Sequence, residues 1–168
     1  MTLSINCRIQ TEDYSVTTEY QALQRPDCGA VVIFSGLVRE HFAPIAPLSC
    51  ENTPAGVDRL LALELEHYPG MTERSIIAIA QQAAARYDLR AVTIIHRIGM
   101  LPVHEQIVLV GIASPHRRDA FAACEMLMDF LKNEVPLWKK AHFQQSSAWV
   151  EAKTSDKTAL ARWEQRPS

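Results

Sequence analysis

Apolar positions along this chain recur in two rhythms, and the switches between them outline its elements. Ile5 to Gln10 reads as a first strand and Ser15 to Gln24 as a short helix. Gly29 to Arg39 (GAVVIFSGLVR) is rich in β-branched and aromatic residues and predicts a strand, with Gly36 marking a bulge or a close approach. Leu60 to His67 is a further strand. From Thr72 to about Tyr87 the rhythm becomes helical, with Ile76, Ile79, Ala80, Ala83 and Tyr87 on one face. Strands follow at Ala91 to Ile98 and Gln106 to Ala113, with Gly99 in a turn between them.

Ser114-Pro115 is a helix-start signal, with Ser as N-cap and Pro at the first helical position. This helix should end near Glu134, because the residue before Pro136 avoids helical geometry. Its spacing puts Arg117, Phe121, Cys124, Met128 and Leu131 on one face. Trp138 to Phe143 and Ser147 to Glu151 suit a terminal hairpin, and Asp156 to Trp163 a last short helix within a tail from 154 to 168. His41 to Asp58 holds three prolines, Pro44, Pro47 and Pro54, with little periodicity, and predicts a long, mobile loop. The order β-α-β-β-α-β-β-α-β-β implies an α+β sheet with helices packed on it, in one domain spanning 1–168.

Composition changes this picture little. Hydrophobic residues make up 48% of 168 and charged ones 21%, an ordinary globular balance. The formal net charge of -2 supplies no bulk basic field for nucleic acid, so any anion site must be local. No apolar run is long enough to span a bilayer, and the N-terminus lacks the pattern of a secretion signal, so a cytoplasmic protein is expected. Cys7, Cys28, Cys50 and Cys124 show no paired spacing, and the histidines show no metal-ligand spacing; neither metal nor cofactor is expected.

The chemistry-bearing feature is a set of cations on and around the helix beginning at Ser114. His116, Arg117 and Arg118 open it, Lys132 lies near its end, and Lys139 and Lys140 follow Pro136 and Trp138. Cations in a first turn oppose the helix dipole; either they form an anion site with the free N–H groups, or Asp119 and solvent neutralise them. Lys132 lands at the edge of the apolar face, where it either snorkels outward and complements the dipole or is held in a pocket. In a strand Lys139 and Lys140 point to opposite faces, so at most one of them shares a site with Lys132. Arg39, ending its strand, is a weaker candidate alone. His41, His67, His96, His104 and His142 are scattered, and no phosphate-binding glycine loop or nucleophile elbow occurs.

His116 and Lys132 are sixteen positions apart, about 24 Å along a continuous helix. A small ligand cannot touch both ends, so a site using both needs a second copy of the chain and predicts a homodimer.

Together these residues resemble the large, catalytic subunit of molybdopterin synthase. The resemblance rests on GAVVIFSGLVREH, LELEHYPGM, IIHRIGMLPVHEQIVLVGIASPHRRDAFAAC, Leu131-Lys132, PLWKK and WVEA, in the family's order from Gly29 to Ala152. It implies an α/β-hammerhead-like sheet with packed helices plus an additional small antiparallel sheet. It also implies a sulfurtransferase that converts cyclic pyranopterin monophosphate to molybdopterin, in molybdenum cofactor biosynthesis. The sulfur would come from the C-terminal Gly-Gly thiocarboxylate of a small ubiquitin-like partner subunit, with a homodimer of this chain inside a heterotetramer. The family's catalytic lysine falls on Lys132 and a second important lysine on Lys139. Substrate-pocket positions fall on Leu37, Val38, Arg39, His116, Arg117, Lys132, Lys139 and Lys140. On this view Arg39, His116 and Arg117 suit a cyclic phosphate, and Lys132 serves as general acid or base. Lys139 would hold the thiocarboxylate or the developing charge. The family's motif usually has an acidic residue at the place of Ala141, which bears on how Lys139 or Lys140 is oriented. It also leaves a second reading, a non-catalytic module that keeps the pterin and tail pocket.

Overall fold

The computed structural model describes residues 2–40, 59–150 and Trp163. The expected loop 41–58, and the C-terminal helix and tail save for Trp163, lie outside the described residues, as does Cys50. Among the described residues three helices and eight strands run in the order β1 (Ser4–Gln10), α1 (Val16–Leu23), β2 (Ala30–Leu37), β3 (Leu60–His67), α2 (Met71–Arg86), β4 (Ala91–Arg97), β5 (Gly99–Pro102), β6 (Gln106–Ser114), α3 (Arg117–Asn133), β7 (Leu137–Phe143) and β8 (Ser147–Trp149). The α+β expectation holds, with two four-stranded sheets ordered β1-β4-β6-β2 and β5-β3-β7-β8. The first is mixed, because β1 runs parallel to β4 while β6 is antiparallel to β4 and β2. The second is antiparallel throughout.

β4 and β6 are buried along nearly their whole length because both faces of the first sheet are covered. On one face Val92, Ile94, Val110 and Ile112 join the main core beneath α2 and α3, including Ile76, Ala80, Ala120 and Leu127. The other face carries smaller clusters, Leu23 with Ala91 and Ala113, and Tyr14 with Ile95 and Leu109, where α1 and its approach lie. Gly111 allows this packing: a Cβ there would stand 2.5 Å from Leu23 Cδ1. Trp163 is buried in the main core, where its indole donates to Asp129 Oδ2 at 2.8 Å and its carbonyl accepts from Arg86 at 2.9 Å.

Three expectations need correction. Gly99, with φ +83°, does make a turn, but it also opens a short strand that pairs with β3 from Ala62 to Leu65. α3 begins at Arg117 with His116 as N-cap, two residues later than expected. Ser114 is still the last residue of β6; its hydroxyl donates to Asp88 O at 2.8 Å and accepts from His116 N at 3.2 Å. The buried face of α3 is centred on Ala120, Ala123, Leu127 and Leu131, so Cys124 is covered while Phe121 stands 63% exposed.

Candidate active site

The two sheets and the end of α3 meet around a cavity of about 490 Å³. Each cation reaches it for a local reason. At Gly36/Leu37 the register between β2 and β6 shifts, a bulge that re-aims the strand end. A Cβ on Gly36 would lie 2.8 Å from Val108 Cγ1, so only glycine lets the backbone approach this closely. Beyond the bulge, Val38 is pinned by its backbone, accepting from His104 N at 2.8 Å and donating to Glu105 O at 2.9 Å. Its side chain is 1% exposed in the main core, so it packs inward rather than lining the cavity. Strand alternation then turns Leu37 and Arg39 the other way, and both line the cavity.

Lys132 lies in the last turn of α3, solvent-accessible yet part of the cavity wall beside Leu131 and Met128. The helix stops where Glu134 N donates to Phe130 O at 2.8 Å, and Val135-Pro136 turns the chain into β7. That turn is tied down from α2: Thr72 Oγ1 donates to Pro136 O at 3.0 Å and accepts from Tyr68 N at 3.0 Å. β7 then pairs with β3, opposing Lys139 to Leu65, Lys140 to Glu64 and Ala141 to Leu63. Leu137 and Lys139 consequently face the cavity. Lys140 faces the opposite side of the sheet, its Nζ 5.8 Å from the centre of the Trp149 ring, and does not line the cavity. The alternation expected for the two lysines is thus what the sheet imposes.

His116 and Arg117 are exposed at the far end of α3 and do not reach the cavity of their own chain. α3 is continuous from Arg117 to Asn133, so the separation of about 24 Å stands.

The remaining wall is mostly apolar, from Leu63, Ile107, Leu131 and Val135 among others, with Ser35 and His96 as polar side chains, and none of its described residues is acidic. Sequence reasoning set His96 of β4 aside among the scattered histidines, yet it lines the wall. It is 5% exposed, and its Nδ1 lies 2.8 Å from Arg97 O. Desolvation pushes its pKa down to about 4; the Arg97 carbonyl bond opposes this, and electrostatic interaction with Lys139 and His67 adds to it. The signal available was parity: His96 continues the face of Val92 and Ile94, where an apolar residue is expected.

A cavity with guanidinium and ammonium groups at its rim and an apolar interior can hold an organic anion, fixing the charge at the rim and the flat part below.

The chain is similar to known proteins along most of its length. The family described as MoaE protein matches residues 9–134. The molybdopterin synthase catalytic subunit of Vibrio cholerae is 45% identical over 157 residues, 93% of this chain and 96% of that protein. Among solved structures, the molybdopterin biosynthesis MoaE protein from Burkholderia ambifaria superposes with a TM-score of 0.75 at 41% identity, covering 96% of this chain and 99% of that one. The molybdopterin synthase from Staphylococcus aureus gives a TM-score of 0.73 at 29% identity, covering 85% and 95%.

Proposed function

The chain belongs to the MoaE protein family, and from that premise we propose that it is a molybdopterin synthase catalytic subunit, an enzyme of molybdenum cofactor biosynthesis. It inserts two sulfurs into cyclic pyranopterin monophosphate, drawing them from the C-terminal thiocarboxylate of a small ubiquitin-like partner subunit. The observation that carries this reading is the cavity that brings Arg39, Lys132 and Lys139 together. Arg39 binds the cyclic phosphate through charge-assisted hydrogen bonds. Lys132 acts as general acid or base as sulfur attacks and oxygen leaves. Lys139 holds the thiocarboxylate and the charge that develops beside it.

His116 and Arg117 enter this site from a second copy of the chain, within a heterotetramer of two large and two small subunits. Two features support the arrangement. Among the described residues β2 is an edge strand, with Phe34 and Leu37 exposed, and Phe121 is exposed on α3, which packs against β2. Two α3 helices set antiparallel across a two-fold axis would bring the first turn of one beside the last turn of the other. The whole chain serves as one catalytic-subunit domain. No helix among the described residues is long and apolar enough to cross a membrane, and we place the enzyme in the cytoplasm.

The test is to incubate the chain with thiocarboxylated small subunit and the pterin monophosphate and to assay molybdopterin. Product that disappears with Lys132→Ala supports the enzyme. Tight binding of the small subunit with no product supports the binding-module reading that Ala141 raises.

A further inference from the structure

The roles assigned above leave His96 without one. It sits where the core-facing side of β4 runs out into the cavity, after Val92 and Ile94. A buried polar ring there is costly unless its nitrogens are used. Nδ1 is used: a carbonyl oxygen only accepts, so the 2.8 Å contact with Arg97 O makes Nδ1 the protonated nitrogen. The ring is neutral near pH 7, with its pKa held at about 4 chiefly by burial, so Nε2 presents a bare lone pair. No described group donates to Nε2.

The ring is also firmly placed. Its neighbour Arg97 donates to Glu105 Oε2 at 2.8 Å and Gln106 O at 2.9 Å, and to Thr11 O at 3.3 Å, fixing the strand end. Among the described wall residues no other side-chain nitrogen can do what Nε2 does. Arg39, Lys132 and Lys139 are donors without acceptor capacity. The Ser35 hydroxyl also carries an acceptor, but it is already tied to Tyr14 Oη at 2.9 Å and donates to Gln106 Oε1 at 3.4 Å. A cationic rim over an apolar interior with one fixed acceptor matches a phosphorylated heterocycle whose ring carries N–H groups.

We propose that His96 is a substrate-binding residue whose Nε2 accepts a hydrogen bond from a ring N–H of the pterin, seating the heterocycle while the cations at the rim take its phosphate. This rests on the molybdopterin synthase reading. A group that stays neutral to about pH 4 is a poor proton acceptor near pH 7, so its part is recognition and not proton transfer.

The experiment uses the full chain and the pterin monophosphate as probe. It is run in steady-state turnover with the thiocarboxylated small subunit, and in a direct fluorescence titration without it. His96→Phe keeps a ring but removes the acceptor. It should raise the KM and the dissociation constant for the pterin about 10- to 100-fold, since a donor is left buried and unpaired. The kcat should stay within about 3-fold and the KM for the small subunit should not move. His96→Asn keeps a donor near Nδ1 but nothing at Nε2, and should behave as His96→Phe does. His96→Gln places an amide oxygen near Nε2 and should recover most of the affinity. The proposal is overturned by a loss in kcat at unchanged pterin affinity, or by a rise confined to the KM for the small subunit. It is equally overturned if Gln and Phe variants of matched melting temperature are equally impaired. If the wild-type chain binds pterin and His96→Phe weakens that binding, absence of product overturns the synthase reading alone. Absence of any pterin binding by the wild type overturns both.

Discussion

The separation of the two cationic ends of α3 makes a sharp prediction about subunit complementation. If a site takes Lys132 from one protomer and Arg117 from the other, a dimer of a Lys132→Ala chain with an Arg117→Ala chain has one doubly broken site and one intact site. Each single variant should fall by about 100-fold or more, the usual loss when a charged group stabilising a transition state is removed. A mixed dimer carrying two different tags, purified on both, should then show about half the wild-type activity, and an unselected equal mixture about a quarter. The reverse pairing is the control: a Lys132→Ala/Arg117→Ala chain joined to a wild-type chain should be inactive, because each of its two sites lacks one group. The assay is molybdopterin formation with saturating thiocarboxylated small subunit. The magnitude follows from the fold, since α3 runs unbroken from Arg117 to Asn133 and holds the two groups about 22 Å apart in one chain. Half-activity in the control with none in the split pair would show that both groups serve one site in cis, and would refute the argument.

Three further outcomes are expected. Gly36→Val should destabilise the fold by about 1–3 kcal/mol in urea titrations, because its Cβ would meet Val108 Cγ1 at 2.8 Å, and should raise the KM for the pterin by disturbing the bulge ahead of Arg39. Thr72→Val removes a fully buried hydroxyl that joins Tyr68 N to Pro136 O; it should cost about 1–3 kcal/mol and slacken the turn that carries Lys139, seen as a lower melting temperature together with a lower kcat. His96 has a folded pKa of about 4 against an ordinary value of 6.5, so between those values the unfolded chain binds more protons and stability rises with pH. Its share, about 3 kcal/mol, is full above pH 6.5 and lost as pH falls towards 4; the difference in unfolding free energy between pH 7 and pH 5 should shrink in His96→Gln, and an unchanged difference would contradict the assignment.

Those predictions draw on features that differ in how far the sequence announces them. The strands and helices that build the core were legible because burial on one or both faces writes itself into periodicity, as in β4, β6 and α2. β5 was not, since four residues containing a glycine and ending in proline carry no periodic signal; they are a strand only because β3 lies alongside. The face of α3 was misjudged for a related reason. Phe121 is a better hydrophobe than Ala120 or Ala123, but α3 packs closely on β2 and β6, and small residues allow that approach. His96 was hidden by the same logic in reverse, a polar residue inside a run apolar enough to pass for a uniform buried strand.

The lysines show what decides a site once the elements are known. Ala141 stands where the family's motif carries an acid, which put the direction of Lys139 and Lys140 in question. The structure answers with register: Lys139 is opposed to Leu65, Lys140 to Glu64 and Ala141 to Leu63, so β3 alone assigns Lys139 and Ala141 to one face and Lys140 to the other. Ala141 is 1% exposed, and a carboxylate there would be taken wholly out of water, tolerable only beside a cation. With alanine in its place that cost vanishes and Lys139 keeps its direction, because pleat and pairing set it. Ala141 itself lies in the main core and not in the cavity wall, so what it changes is the charge beside β7 and not the direction of Lys139. None of the described wall residues is acidic while three are cationic, a balance that favours the phosphate and the thiocarboxylate over any neutral competitor.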